Sequence, residues 1–312
     1  MIAETMRGKK KINFWFTVFF YASVLFFAVY LFRQKDLQVH VSRMDPLWLT
    51  LSVVLLWAGF FAATLSWRKA LQVHDIHISV RMGVYSHGIS VLGKYIPGKV
   101  WVIVGRAFPV TGGGVAFHRA TLASLKEQLL YLFLGLFISV VPVLIYYPAG
   151  YVTLILVVSL LLLGLVLFVP AVHRQASSLL GKVTGKELDL PLIDLKQSAG
   201  MGVYILFYWL LWTAGFWFFL ISLAGDIPWV QALAFPLSVC YGVMAIIFPG
   251  GIGIRESIMT GFLVLTGMDA ETAVTVSLLN RLWYITGELF IFFLALFLGI
   301  GMKKKSRRSA AL

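Results

Sequence analysis

The chain has 312 residues, of which 60 % are hydrophobic, 15 % aromatic and only 12 % charged, with a net charge of +13 and a mean hydropathy of +0.90. A soluble domain is about one-quarter charged, so this composition excludes an ordinary water-soluble globule. The positive charge does not indicate nucleic acid: nine of the 26 Lys and Arg lie in two tails, Arg7, Lys9, Lys10 and Lys11, then Lys303, Lys304, Lys305, Arg307 and Arg308. Each tail abuts an apolar run, as expected of cytoplasmic flanks beside anionic lipid.

Uncharged runs of about 18 residues or more are candidate membrane-spanning helices. Phe14–Phe32, Pro46–Trp67, Leu129–Tyr147, Tyr151–Val172 and Ser198–Gly225 qualify, and 270–302 completes the set. The first run is too long for a signal-peptide core and is followed by Arg33, Gln34, Lys35 and Asp36 rather than a small-residue cleavage site, so it is expected to be a retained anchor. Cys240 is the single cysteine. That excludes an intrachain disulfide or a thiolate cluster, and its apolar surroundings assign it to the core.

Two stretches break the pattern. Residues 84–119 carry His87, Lys94, Pro97, Lys99, Arg106 and a Gly112-Gly113-Gly114 run, and 227–267 carry Pro228, Pro236 and Pro249. Each is expected to be a re-entrant helical hairpin, entering and leaving on one side. With both termini cytoplasmic, sixteen Lys and Arg then fall in cytoplasmic segments, including 68–82 and 173–197, and three in outer ones.

The predicted fold is an all-α polytopic membrane protein, a single domain over 1–312 with about six full transmembrane helices plus two re-entrant hairpins. They form an inverted repeat over 14–147 and 151–302, followed by a basic tail at 303–312. The alternative is eight full spans. Inverted repeats whose broken helices meet near the midplane are a recurrent transporter plan, with the substrate at the breaks.

The breaks carry the chemistry. Pro249 ends the preceding helix, Gly250, Gly251 and Gly253 permit tight turning, and a helix starting near Ile252 would aim free N–H groups at an anion. Arg255 adds a bidentate grip on phosphate or carboxylate, and Glu256 is placed to neutralise it or to bind a cationic headgroup. Lys94, Lys99 and Arg106 form the matching cluster in the first break, unless they snorkel to the interface. Lys126 and Glu127 open the third span. Arg281 and Glu288 lie seven residues apart, about 10.5 Å of helical rise, so each needs a partner other than the other. These four are either cavity ion pairs or a proton relay, or buried structural pairs.

Nucleophile elbows, phosphate-binding loops, zinc-protease motifs and paired cysteines are all missing, and His74 and His77 show no third ligand. Neither a metal nor a cofactor is expected, and the chain is not expected to be an enzyme.

The two motifs, LGKYIPGKVWVIVGR (92–106) and FPGGIGIRES (248–257), resemble those of the lysylphosphatidylglycerol synthase transmembrane family, which includes the flippase domain of the multiple peptide resistance factor. The matching positions are Pro249, Gly250, Gly251, Gly253, Arg255 and Glu256, with Pro97, Gly98, Gly105 and Arg106 in the first break. The resemblance implies a helical fold with re-entrant elements, and the expected location is the cell (inner) membrane with both termini cytoplasmic. It also implies movement of a phospholipid or lipid-linked headgroup between leaflets. Full-length synthases add a soluble aminoacyl-transferase domain, which does not follow here, so lipid synthesis is not expected. The alternative is an accessory partner of a lipid-modifying enzyme or glycosyltransferase, docked through 68–82 and 173–197.

Overall fold

The computed structural model describes residues 44–95, 100–111, 115–146, 150–175, 178, 195–245 and 249–309. The expected first span, Phe14–Phe32, lies outside them, as do the N-terminal basic tail, Pro97, Gly98, Lys99 and the glycine run at 112–114. The described backbone is helical, without a strand, and forms an all-α polytopic membrane protein.

Chain order gives α1 (Pro46–Val73), α2 (Val80–Ser90), a 3₁₀ turn (Val91–Tyr95), α3 (Val100–Ala107), α4 (Phe117–Tyr146), α5 (Tyr151–Phe168) and α6 (Leu195–Ala224). A second 3₁₀ turn (Trp229–Leu233), α7 (Ala234–Met244), a third (Pro249–Gly251), α8 (Ile254–Leu265) and α9 (Ala270–Ser309) follow. Among the described residues, Pro46–Val73, Phe117–Tyr146, Ser198–Ala224 and Ala270–Ile300 are long and apolar enough to cross a membrane. Helix α5, at 18 residues, is about 27 Å long, near the roughly 30 Å hydrocarbon thickness.

Helices α1 and α4 run past the charges expected to bound them. Helix α1 continues through Arg68 and Lys69, and α4 begins at Phe117 rather than 129. In α4 the reason is local: Glu127 is 2 % exposed and faces a basic partner inside the bundle, so the helix does not end there.

Close backbone approach sets the packing, as expected where lipid supplies no hydrophobic drive between helices. A Cβ on Gly59 would stand 2.3 Å from the Trp212 ring, one on Gly88 2.3 Å from the Ile291 carbonyl oxygen, and one on Gly287 2.4 Å from Phe60. These three glycines bring α1 against α6, α2 against α9, and α9 against α1. The core they close is aromatic: Trp209 stacks on Tyr131 at 4.7 Å between centroids, and Trp212 meets Phe60, Tyr208, Phe235 and Tyr284. Cys240 is fully buried in it. By contrast, Leu154, Ile155, Leu161 and Leu162 of α5 lie outward on an apolar face suited to lipid.

Helix α1 starts at Asp45, whose carboxylate accepts from the backbone N–H groups of Leu47 and Trp48 at 2.8 and 3.3 Å, ahead of Pro46 at the first helical position. Asp45→Ala should therefore cost about 1 kcal/mol of stability. The check is the thermal midpoint in detergent, with Asp45→Asn expected to recover most of the loss.

Candidate functional site

The first expected break comprises the 3₁₀ turn after α2 and the short helix α3, the second the 3₁₀ turn before α8 and the start of α8, and both reach one cavity of about 600 Å³. Lys94 and Arg106 from the first break, Gly250 and Arg255 from the second, and Glu127 from α4 share its wall. Most of the rest is aromatic and aliphatic, with Tyr131, Tyr208, Trp212 and Tyr284 buried and His87 half-buried.

The second break is built by glycine. Gly250, Gly251 and Gly253 have φ of 61°, 69° and 84°, in the left-handed region where an L side chain is strained. Gly251 also lies on Gly242 of α7, where a Cβ would be 2.7 Å from the Gly242 carbonyl oxygen. Gly242 in turn makes room for Arg255, since its own Cβ would stand 2.2 Å from the Arg255 Cγ. Two glycines on two elements thus admit one arginine, which is 7 % exposed with its guanidinium 5.0 Å from the Tyr284 ring centroid. Lys94 approaches the same ring at 4.6 Å, so cations from both breaks converge on a tyrosine of α9.

Helix α8 begins at Ile254, and the N–H of Gly253 donates to Glu256 Oε2 at 2.7 Å. A carboxylate of the chain itself therefore occupies part of the helix start that the sequence offers to an anion. Glu256 Oε1 also accepts from Arg281 at 2.9 Å, pinning the second break to α9. Its cation is thus Arg281, where the sequence alone pointed to Arg255.

In the first break, Arg106 and Glu127 form a buried pair at 2.6 Å, each about 2 % exposed. Arg106 also donates to the Ser124 carbonyl oxygen at 2.6 Å and to its hydroxyl, and lies over the Trp67 ring. Ser66 donates to Glu127 at 2.8 Å. Lys94 pairs with Glu288 of α9. Arg281 and Glu288 thus each find a different partner: Arg281 holds the second break and Glu288 the first.

Lys126 is half-buried on α4 and is not among the cavity-lining residues. Burial, then the positive charges of Lys126 and Arg119, hold the imidazole of His74 below its ordinary range at the end of α1. Cavity residues that the motifs do not reveal include His87, Tyr131, Tyr208 and Tyr284. His87 Nδ1 lies 2.8 Å from the Thr64 hydroxyl. The two tyrosines Tyr131 and Tyr208 look like core residues in sequence, because a stripe facing a cavity and one facing a core share the same spacing.

No group of three or more His, Cys, Asp or Glu able to hold a metal occurs among the described residues. Two cationic side chains beside one aromatic ring on a cavity wall are chemistry suited to an anionic group.

Among known proteins, a stretch of 108 residues is 32 % identical to UPF0104 membrane protein PH1989 of Pyrococcus horikoshii, covering 33 % of this chain and 32 % of that one. No solved structure matches. Residues 14–301 match the family described as the lysylphosphatidylglycerol synthase TM region. With nearly the whole chain covered, this multi-pass membrane protein belongs to the lysylphosphatidylglycerol synthase TM region family.

Proposed function

We propose that the chain moves a phospholipid or lipid-linked headgroup between the leaflets of the cell membrane, and that it acts as a transporter rather than an enzyme. The two breaks dip in from opposite faces as an inverted pair, both termini are cytoplasmic, and the headgroup enters the cavity where the breaks meet. Its phosphate lies between Lys94 and Arg255 above Tyr284. Arg106 and Glu127 line the far wall, and Arg281, Glu256 and Glu288 hold the breaks to α9.

The observation that carries this reading is the convergence of Lys94 and Arg255, from breaks far apart in sequence, on the ring of Tyr284 inside a cavity of about 600 Å³. A cavity of this size holds a small organic group. Intramembrane cations are rare enough that two from separate elements at one ring call for a ligand or a path. Membership of a family named for a lipid synthase fits a lipid cargo.

The test uses protein reconstituted in liposomes with headgroup-labelled phospholipids and an external quencher. Wild type should expose inner-leaflet label, and Arg255→Ala should slow that by about 10- to 100-fold, the value of one charge-assisted contact of about 1.5–3 kcal/mol. Equal rates for the two proteins at equal incorporation would sink the reading. Absence of movement with every headgroup would favour the accessory role, to be pursued by identifying a co-purifying lipid-modifying enzyme.

A further inference from the structure

We infer that the cavity has a lateral mouth for the hydrocarbon chains of its lipid: the chains leave between α3 and α7, across a stripe of α4 made by Leu125, Gln128, Leu129 and Leu132. This rests on the lipid-transport reading above and adds to it the path of the chains.

The cavity reaches far around one helix. Glu127 and Tyr131 of α4 line it and are buried, at 2 % and 6 % exposed. Leu125, Gln128, Leu129 and Leu132 line it too, and these four are half-buried. Their i, i+3, i+4, i+7 spacing puts them on one stripe of the helix. At about 100° per residue, the lining positions from Glu127 through Tyr131 and Gln128 to Leu129 cover roughly 200° of the circumference. A cavity closed inside the bundle would meet one face of α4. This one passes from the buried face round to the half-buried one.

The two sides of the mouth are short helices packed on α4. Helix α3 is tied to it where Arg106 donates to Ser124, and α7 lies against it where Gly135 leaves room for Cys240. Val102 and Ile103 of α3 line the cavity, as do Val243 and Met244 of α7. Met244 is also 38 % exposed, so it belongs to the cavity wall and to the outer surface at once. The lining side chains on this side are apolar apart from the neutral amide of Gln128. An apolar mouth on a membrane-spanning helix is matched to hydrocarbon rather than to water.

The order of groups along the wall is that of a phospholipid. Lys94 and Arg255 meet at Tyr284 at the charged end. Gln128 lies next, between the Tyr131 face of α4 and the leucines, where its amide can donate to an ester carbonyl. The leucines and Met244 then cover chain. One amphipathic ligand therefore fits the whole cavity, with its phosphate at the cations and its chains never leaving an apolar environment.

The test uses full-length protein in liposomes containing phosphatidylglycerol with a mid-chain diazirine, irradiated, digested and read by peptide mass spectrometry. Leu161 and Leu162, on the outward face of α5, report contact with bulk lipid. Wild type should carry more label on the 125–132 stripe and Met244 than on α5. Arg255→Ala, which weakens the phosphate end, should lower labelling of the stripe about tenfold and leave α5 unchanged. In the headgroup-quenching assay, Leu129→Trp should fill the mouth and slow lipid movement, whereas Leu161→Trp should not. The melting temperature of Leu129→Trp shows whether it folds, and the labelling arm needs no change in α4.

Lipid movement with the stripe labelled no more than α5, or labelled equally in wild type and Arg255→Ala, overturns the mouth and leaves transport standing. Arg255-dependent labelling of the stripe without lipid movement upholds the chain path and overturns transport. Absence of both overturns both.

Discussion

Glu127→Ala should lower stability by about 3–5 kcal/mol. The substitution leaves the Arg106 guanidinium 2 % exposed, over Trp67 and bonded to Ser124, with its carboxylate gone. Two neutral contacts do not compensate a buried charge. Ser66 loses its acceptor as well. Glu127→Gln keeps an oxygen for Ser66 and removes only the charge, so it should fall between wild type and Glu127→Ala.

The informative variant is the double one. Arg106→Met with Glu127→Leu removes both charges and fills similar volume, and replacing a buried pair in this way is often neutral or stabilising. It should recover most of the lost stability while lipid movement stays impaired, because the cavity wall has lost its polar face. Thermal unfolding in detergent reads the first quantity and the liposome assay the second. If Glu127→Ala melts with wild type, the pair does not stabilise the bundle. If the double variant regains transport, the pair is structural only.

This separation also explains how far the sequence could be read. The apolar runs placed the bodies of α1, α4, α5, α6 and α9, since long uncharged segments have one stable solution in lipid. Their ends were less legible. A charge terminates a run only if it faces lipid or water, and Glu127 faces Arg106 instead, which composition does not reveal. Pro249 with Gly250 and Gly251 located the second break, because proline and glycine act through the backbone and need no knowledge of neighbours.

Pairing was the part that stayed hidden. The seven-residue spacing of Arg281 and Glu288 excluded a pair between them, but it did not show that Arg281 reaches Glu256 and Glu288 reaches Lys94. Both contacts join residues on different elements, and with one sequence there is no signal for such juxtapositions. The role of Gly242 was equally invisible: it lies within α7, where nothing but the neighbouring Arg255 distinguishes it from an ordinary small residue of a membrane helix.

Gly251→Ala should be the most damaging single-methyl change in the second break. At φ 69° an alanine pays a conformational penalty of about 1–2 kcal/mol for the left-handed region. Its Cβ would also stand 2.7 Å from the carbonyl oxygen and 2.8 Å from the Cα of Gly242, which are backbone atoms and have no rotamer to yield. Overpacking of this kind adds about 1–3 kcal/mol. The relief available is for the break to move away from α7, and that movement carries Arg255 with it, four residues on.

The loss should therefore appear twice, as a lowered melting temperature and as slowed lipid movement comparable to Arg255→Ala. Gly253→Ala provides the comparison. Its φ of 84° carries the conformational penalty, but nothing lies within 4 Å of the added methyl, so its destabilisation should be confined to about 1–2 kcal/mol. Equal damage from the two alanines would mean that backbone conformation alone sets the break. A larger loss at Gly251 would mean that the Gly242–Gly251 contact holds Arg255 over Tyr284, which is the placement that the proposed transport requires.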